Sequence, residues 1–162
     1  MNLTVIRHGS AQTHAARDRE RALTAVGRDE ARQVGVDVSK VAPPPELIIS
    51  SPFVRAVQTA ELVAAAIGYS GTIEIDRGLR PDCSASDVVA RLATLTGLSS
   101  VMLVAHEPIL SSLCEHILGI SFGEGLRRAE AVGMTWAGPD VHHVGAAKLL
   151  WRIVPALMFR EV

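Results

Sequence analysis

Cysteine and lysine are both scarce in this chain of 162 residues. Cys83 and Cys114 are the only cysteines, too few for a disulfide-stapled fold, so the expectation is two free thiols in a reducing, cytoplasmic compartment. Cys114 falls in an apolar helical pattern and reads as core. Long apolar runs are missing as well. None approaches the roughly 20 residues that a membrane helix needs, and Met1–Arg7 has no basic leader ahead of such a run, so neither a span nor a secretory signal is expected. An excess of one charge is also lacking. Lysine plus arginine number 16 against 17 acidic residues, which gives no electrostatic reason to expect nucleic acid or an anionic membrane as partner. Repeats, low-complexity tracts and composition breaks are absent; Pro43-Pro44-Pro45 reads as a stiff loop.

What is present describes one globular domain over residues 1–162. Hydrophobic residues make up 48% and charged residues 20%, too apolar for disorder. A chain of this length hides roughly 70% of its unfolded surface, enough for one sizeable core. Lys40 and Lys148 apart, every basic side chain is arginine, whose rigid fork of donors suits planar anions.

Short apolar runs alternate with helical spacing. Leu3–Arg7, Leu47–Ser50, Thr72–Asp76 and Val101–Ala105 read as strands. Thr24 caps a helix carrying Gly27, Ala31, Val34 and Val38 inward. Ser51 as N-cap and Pro52 at the first helical position open the next, with Phe53, Val57, Ala60, Ala64 and Ile67 on its inner face and Gly68 at its end. A third helix is expected over 85–96, with Val88, Leu92 and Leu95 inward before Gly97. A fourth begins at Pro108, with Leu110, Leu113 and Ile117 inward and Gly119 at its end. Ala129–Trp136 and Ala146–Val154 read as strands around a turn at Gly138-Pro139-Asp140, with Trp136 and Trp151 as core or rim aromatics. Strands separated by helices predict an α/β fold with a largely parallel sheet, to which the tail adds antiparallel strands.

Parallel sheets of this kind gather their ligand sites at the C-terminal ends of the strands. Those ends deliver Arg7-His8-Gly9, then Ser50-Ser51-Pro52 with Arg55 in the following turn, and His106-Glu107-Pro108. Two arginines, two histidines and two helix N-termini on one sheet edge suit a small, multiply charged oxyanion, best a phosphoryl group. Histidine in such a pocket is a nucleophile candidate, because a neutral imidazole nitrogen is available near pH 7. Arg55 in a first helical turn opposes the helix dipole, which argues against a purely structural role. Gly9 relieves backbone crowding beside the pocket.

The ordered motifs Arg7-His8-Gly9, Leu23-Thr24-Ala25-Val26-Gly27, Ser51-Pro52-Phe53-Val54-Arg55-Ala56-Val57-Gln58-Thr59 and Val104-Ala105-His106-Glu107-Pro108 resemble those of the histidine phosphatase superfamily. In length and in lacking an inserted cap domain, the chain most resembles the small SixA-type phosphohistidine phosphatases. The resemblance spans about residues 1–120. It implies a three-layer α/β/α, phosphoglycerate mutase-like fold. It makes His8 the transiently phosphorylated nucleophile, Arg7 and Arg55 the phosphate clamps, and His106 a second histidine bonding the transferred group. Neither metal nor other cofactor is implied, since Arg7, Arg55 and His106 would supply the positive charge.

One departure bears on the substrate. Many members carry a glutamate general acid after the third strand, where this chain reads Asp76-Arg77-Gly78-Leu79-Arg80-Pro81-Asp82-Cys83. Asp82 and Glu107 are the remaining candidate acids. Imidazole leaves phosphorus far more readily than an alkoxide, so a missing acid leans toward phosphohistidine. A chain too short for a lid predicts an open groove, suited to a phosphorylated protein, such as a phosphohistidine-carrying signalling domain. The alternatives are a broad phosphomonoesterase or mutase of the same superfamily, and a phosphate-binding module without turnover. His14 with Arg17, Arg19 and Arg21 reads as a solvated run whose sign also fits an acidic phosphoprotein. His142-His143 reads as an exposed turn rather than a metal pair, and His116 as core edge or surface.

Overall fold

Successive strand residues point to opposite sheet faces, and apolar side chains at nearly every strand position leave a sheet that must be covered on both sides. The computed structural model describes residues 1–95, 97–137 and 146–156. Its strands are β1 (Asn2–Arg7), β2 (Leu47–Ser50), β3 (Ile73–Ile75), β4 (Ser100–Ala105), β5 (Ala131–Trp136) and β6 (Ala147–Ile153). The helices are α1 (Ala25–Ser39), α2 (Val54–Ile67), α3 (Ala85–Ala93) and α4 (Ile109–Leu118). The sheet runs β3-β2-β4-β1-β5-β6. Its first four strands are parallel, β5 is antiparallel to β1, and β6 is antiparallel to β5.

Leu3, Val5, Val101 and Leu103 enter one core with Val88 and Leu92 of α3 and Leu110, Leu113 and Ile117 of α4. Ile6, Met102 and Val104, their neighbours in sequence, enter the other core with Val34 and Val38 of α1 and Ala56, Ala60 and Val63 of α2. The layers are therefore α/β/α, with the tail strands added antiparallel. Thr24 Oγ1 accepts the Gly27 N–H at 3.0 Å, and left-handed Gly68 and Gly119 end α2 and α4, as the sequence leads one to expect. Cys114 is fully buried in the first core, where desolvation pushes its thiol up to about 12, far from reactivity at neutral pH.

Four local expectations are corrected. Ser51 does not cap α2: the helix begins at Val54 with Phe53 in the N-cap position, and the Ser51 hydroxyl accepts the Phe53 N–H at 3.3 Å while meeting His106 Nε2. The buried face of α2 carries Arg55, Ala56, Thr59, Ala60, Val63 and Ala64, rotated from the apolar stripe through Phe53, Val57 and Ile67. Small residues win that face because α1 packs closely at Gly35, against Val63 and Ala66. Finally, β5 starts at Ala131 rather than Ala129, since Ala129 sits in the left-handed region at φ 54 and breaks the extended run. The helix α3 also ends earlier than expected, at Ala93 with Thr94 as C-cap. The turn at Gly138-Pro139-Asp140 and the pair His142-His143 lie outside the described residues.

Gly9 and Gly27 let the loop after β1 lie directly on the start of α1. A Cβ on Gly27 would overlap the Ser10 carbonyl, and one on Gly9 would reach to 2.6 Å from the Gly27 carbonyl. Gly27→Ala is therefore expected to destabilise the fold by about 1–3 kcal/mol and to reduce turnover by displacing the His8 loop. Urea denaturation beside an activity assay checks both; an unchanged midpoint would refute the crowding argument.

Candidate active site

Strand register brings the chemistry together. Arg7 of β1 lies opposite Ala105 of β4, so the next residues, His8 and His106, emerge side by side with ring centroids 5.1 Å apart. On the other flank of β4, Ser50 of β2 lies opposite Val104. The following Ser51 thereby reaches His106, its Oγ 2.7 Å from Nε2. Phe53 stands edge-on to His106 at 5.0 Å between centroids, with the Arg55 guanidinium 5.0 Å over its ring.

The loop after β1 is braced from three sides. The Gly9 N–H donates to Thr59 Oγ1 at 3.1 Å, and the Thr59 hydroxyl donates to the Arg55 carbonyl at 2.7 Å. The Ser10 N–H and hydroxyl both donate to the buried Glu30 carboxylate at 2.7 Å. The Ala129 N–H donates to the His8 carbonyl at 3.1 Å. Preorganisation of this kind fixes a reactive ring without cost at the moment of reaction.

His8 Nδ1 lies 2.7 Å from the Gly9 carbonyl, which can only accept, so Nδ1 carries the proton and Nε2 the lone pair. Arg55 Nε donates to that Nε2 at 3.3 Å. Arg55 also gives Nη1 to the Asp18 carbonyl at 2.9 Å and Nη2 to Asp18 Oδ2 at 3.2 Å. Asp18 is shared with Arg21, whose Nε donates to Oδ1 at 2.8 Å; the Arg21 hydrogen bond first and Arg55 second hold the Asp18 carboxyl below its usual range. Arg7 is tied through Nη1 to the Leu126 carbonyl at 2.7 Å. Its Nε and His106 Nδ1 are buried with no hydrogen-bond partner among the described residues. Unspent buried polar atoms of this kind concentrate at functional sites.

These side chains line a cavity of about 310 Å³ that holds Arg7, His8, Arg21, Arg55, His106, Glu107 and Arg128. All four residues singled out as catalytic from sequence meet there. The two candidate acids part company. Glu107 lines the cavity, with Oε1 accepting the Ser111 N–H at 3.1 Å and Oε2 against Gly125. Asp82 lines an adjoining cleft instead, because Pro81 intervenes, and it faces Arg80 at 3.7 Å. Sequence reasoning missed Arg128, Glu30 and the bridging Asp18, and it left Arg21 in a solvated run. The dense charge of residues 14–21 was the only trace of Asp18 and Arg21, and Arg128 and Glu30 left none. No group of three or more His, Cys, Asp or Glu side chains among the described residues is arranged to hold a metal ion.

Burial pushes His8 down to about 4, with Arg55, Arg7 and Arg21 adding to the effect and the Gly9 carbonyl opposing it. Burial, then His8 and Arg55, push His106 down to about 3. Both rings are thus neutral at pH 7 in the folded protein, whereas unfolded histidine takes up a proton near 6.5. The unfolded chain binds more protons in between, so stability is full above pH 6.5 and is lost as pH falls toward 3. For fully buried His106 the loss is on the order of a few kcal/mol. Urea midpoints at pH 7, 6 and 5 should fall steadily, and His106→Ala should flatten the slope; parallel slopes would contradict the assignment.

A buried and a half-buried imidazole, held neutral among arginines at the C-terminal ends of parallel strands, define a phosphoryl-transfer enzyme that uses histidine. The chain belongs to the histidine phosphatase superfamily: the pattern of the Histidine phosphatase superfamily (branch 1) matches residues 3–81. It is 34% identical over 115 residues to phosphohistidine phosphatase SixA of Escherichia coli strain K12, covering 70% of this chain and 71% of that one. It is 30% identical over 128 residues to the SixA homolog of Haemophilus influenzae, covering 74% and 78%. The solved structure of the protein histidine phosphatase SixA complexed with tungstate superposes with a TM-score of 0.86 at 28% identity, over 96% of this chain and 97% of that one. The protein is accordingly a hydrolase of the histidine phosphatase type.

Proposed function

We propose that the protein removes the phosphoryl group from phosphohistidine on a protein, through a phosphohistidine on His8. The observation that carries this reading is the neutral His8 ring, its Nδ1 proton fixed on the Gly9 carbonyl and its Nε2 beside Arg55 in an arginine-lined cavity. In the first step the Nε2 lone pair attacks phosphorus. The substrate's P–N bond breaks, its electron pair stays on the departing imidazole, and that nitrogen takes up a proton. In the second step water attacks phosphorus, the bond to Nε2 breaks, and inorganic phosphate and a proton leave.

Arg7, Arg55 and His106 stabilise the equatorial oxygens, where charge accumulates. The unspent Arg7 Nε and His106 Nδ1 supply donors for that task. Gly9 lets the loop that carries His8 seat against α1, where a Cβ would meet the Gly27 carbonyl. The tungstate held by the solved SixA relative is a tetrahedral oxyanion of the kind such a pocket takes. Imidazole is a good enough leaving group to depart with little help from an acid. Among the two candidates Glu107 is the better placed donor, since Asp82 faces the adjoining cleft.

Residues 1–162 work as one domain without a cap, in the cytoplasm, on a phosphorylated signalling protein. Hydrolysis of matched phosphohistidine and phosphoserine peptides tests the substrate class. Selective release from phosphohistidine is expected; faster release from phosphoserine would move the protein to the general phosphomonoesterases.

A further inference from the structure

Beside the catalytic cavity lies a larger cleft of about 720 Å³, and the two share Asp18 and Pro81 as a common wall. Phe53 lines the cleft while touching Arg55 and His106 of the cavity, so chain leaving the catalytic pocket would pass directly over it. Three arginines, Arg19, Arg77 and Arg80, face this cleft. Its two carboxylates are already engaged: Asp18 with Arg21 and Arg55, and Asp82 with Arg80. Arg19 and Arg77 have no ion-pair partner among the described residues, and both side chains are exposed. In a chain of net charge −1, this leaves a local positive excess next to the reacting phosphorus.

We infer that this cleft is the docking site for an acidic segment of the phosphoprotein, flanking its phosphorylated residue. The inference rests on the proposed phosphoprotein substrate and adds to it a charge preference and the residues that set it. Exposed arginine–carboxylate contacts are individually weak and screened by salt, so their signature is a salt-dependent KM, not a change in chemistry.

The test compares two phosphohistidine peptides, one with aspartate and glutamate beside the phosphorylated residue and one with asparagine and glutamine there. Phosphoimidazole serves as a small substrate that cannot reach the cleft. The acidic peptide should show a KM roughly ten-fold lower at low salt, with the gap closing at high salt. The double variant R19E/R77E should erase that gap while leaving kcat on phosphoimidazole unchanged. Equal KM values for the two peptides, or equal losses of the variant on all three substrates, would overturn the inference. If the enzyme turns over phosphoserine but not phosphohistidine, the substrate reading fails, and the same charge pair is run on phosphoserine peptides. If it turns over neither, anisotropy of labelled, unphosphorylated acidic and neutral peptides reads the cleft directly. Tighter binding of the acidic one, lost in R19E/R77E, supports docking, and equal binding refutes it.

Discussion

His8→Ala should abolish phosphate release, lowering kcat on the order of 10⁴–10⁶ by analogy with removal of other activated nucleophiles, while the protein stays folded. The ring's Nδ1 bonds the adjacent Gly9 carbonyl, and the loop keeps its anchors through Gly9, Ser10 and the His8 carbonyl. Removing the ring therefore deletes the lone pair proposed to attack phosphorus and little else. Wild-type enzyme quenched during turnover should carry a phosphoryl label that acid removes and alkali does not, as an N–P bond requires. The variant should carry none. A variant retaining more than about 1% of the rate, or a label on another residue, would sink the assignment of His8. Circular dichroism melts of the two proteins separate lost chemistry from lost fold.

Arg55→Lys should be nearly as damaging as Arg55→Ala, each costing on the order of 10²–10³ in kcat. Charge alone does not describe what Arg55 does. Its three nitrogens are spread over His8 Nε2, the Asp18 carbonyl and Asp18 Oδ2. A lysine ammonium is a single point at the end of a flexible stem and cannot keep this fork in place. Arg55 also comes from the first turn of α2, whose dipole disfavours a cation, so helix stability does not account for an arginine there. The loss should fall on kcat more than on KM, because the charge it meets is greatest in the transition state. Added guanidinium should restore part of the Arg55→Ala rate. A lysine variant within about three-fold of wild type would show that charge is sufficient.

The layers and the meeting of Arg7, His8, Arg55 and His106 were legible in the sequence for separate physical reasons. Apolar runs such as Val101–Ala105 commit a strand to burial on both faces, and all of β4 is buried. Thr24, Gly68 and Gly119 mark helix ends through local backbone chemistry that no distant contact has to supply. Arg7 ends β1, His8 and His106 follow their strands directly, and Arg55 follows β2 by one short turn. Once the strands are parallel their ends must share an edge. The face of α2 was less legible, because its apolar stripe and its small-residue stripe lie close together and only the approach of α1 selects between them.

The sequence by itself determined the element order and the convergence of Arg7, His8, Arg55 and His106, both consequences of local periodicity plus one topological rule. The split of the interior into two cores came with the structure. Only the tertiary structure decided which polar residues join those four. Asp18 meets Arg55 across 37 positions of chain, and the Leu126 carbonyl meets Arg7 across 119. Ser51 became a partner of His106 instead of a helix cap, and Asp82 fell into the neighbouring cleft while Glu107 stayed in the pocket. Such pairings carry no periodic signal. They are set by where loops come to rest after the sheet has closed, and the hydrogen bonds that hold those loops form only once distant strands are in register.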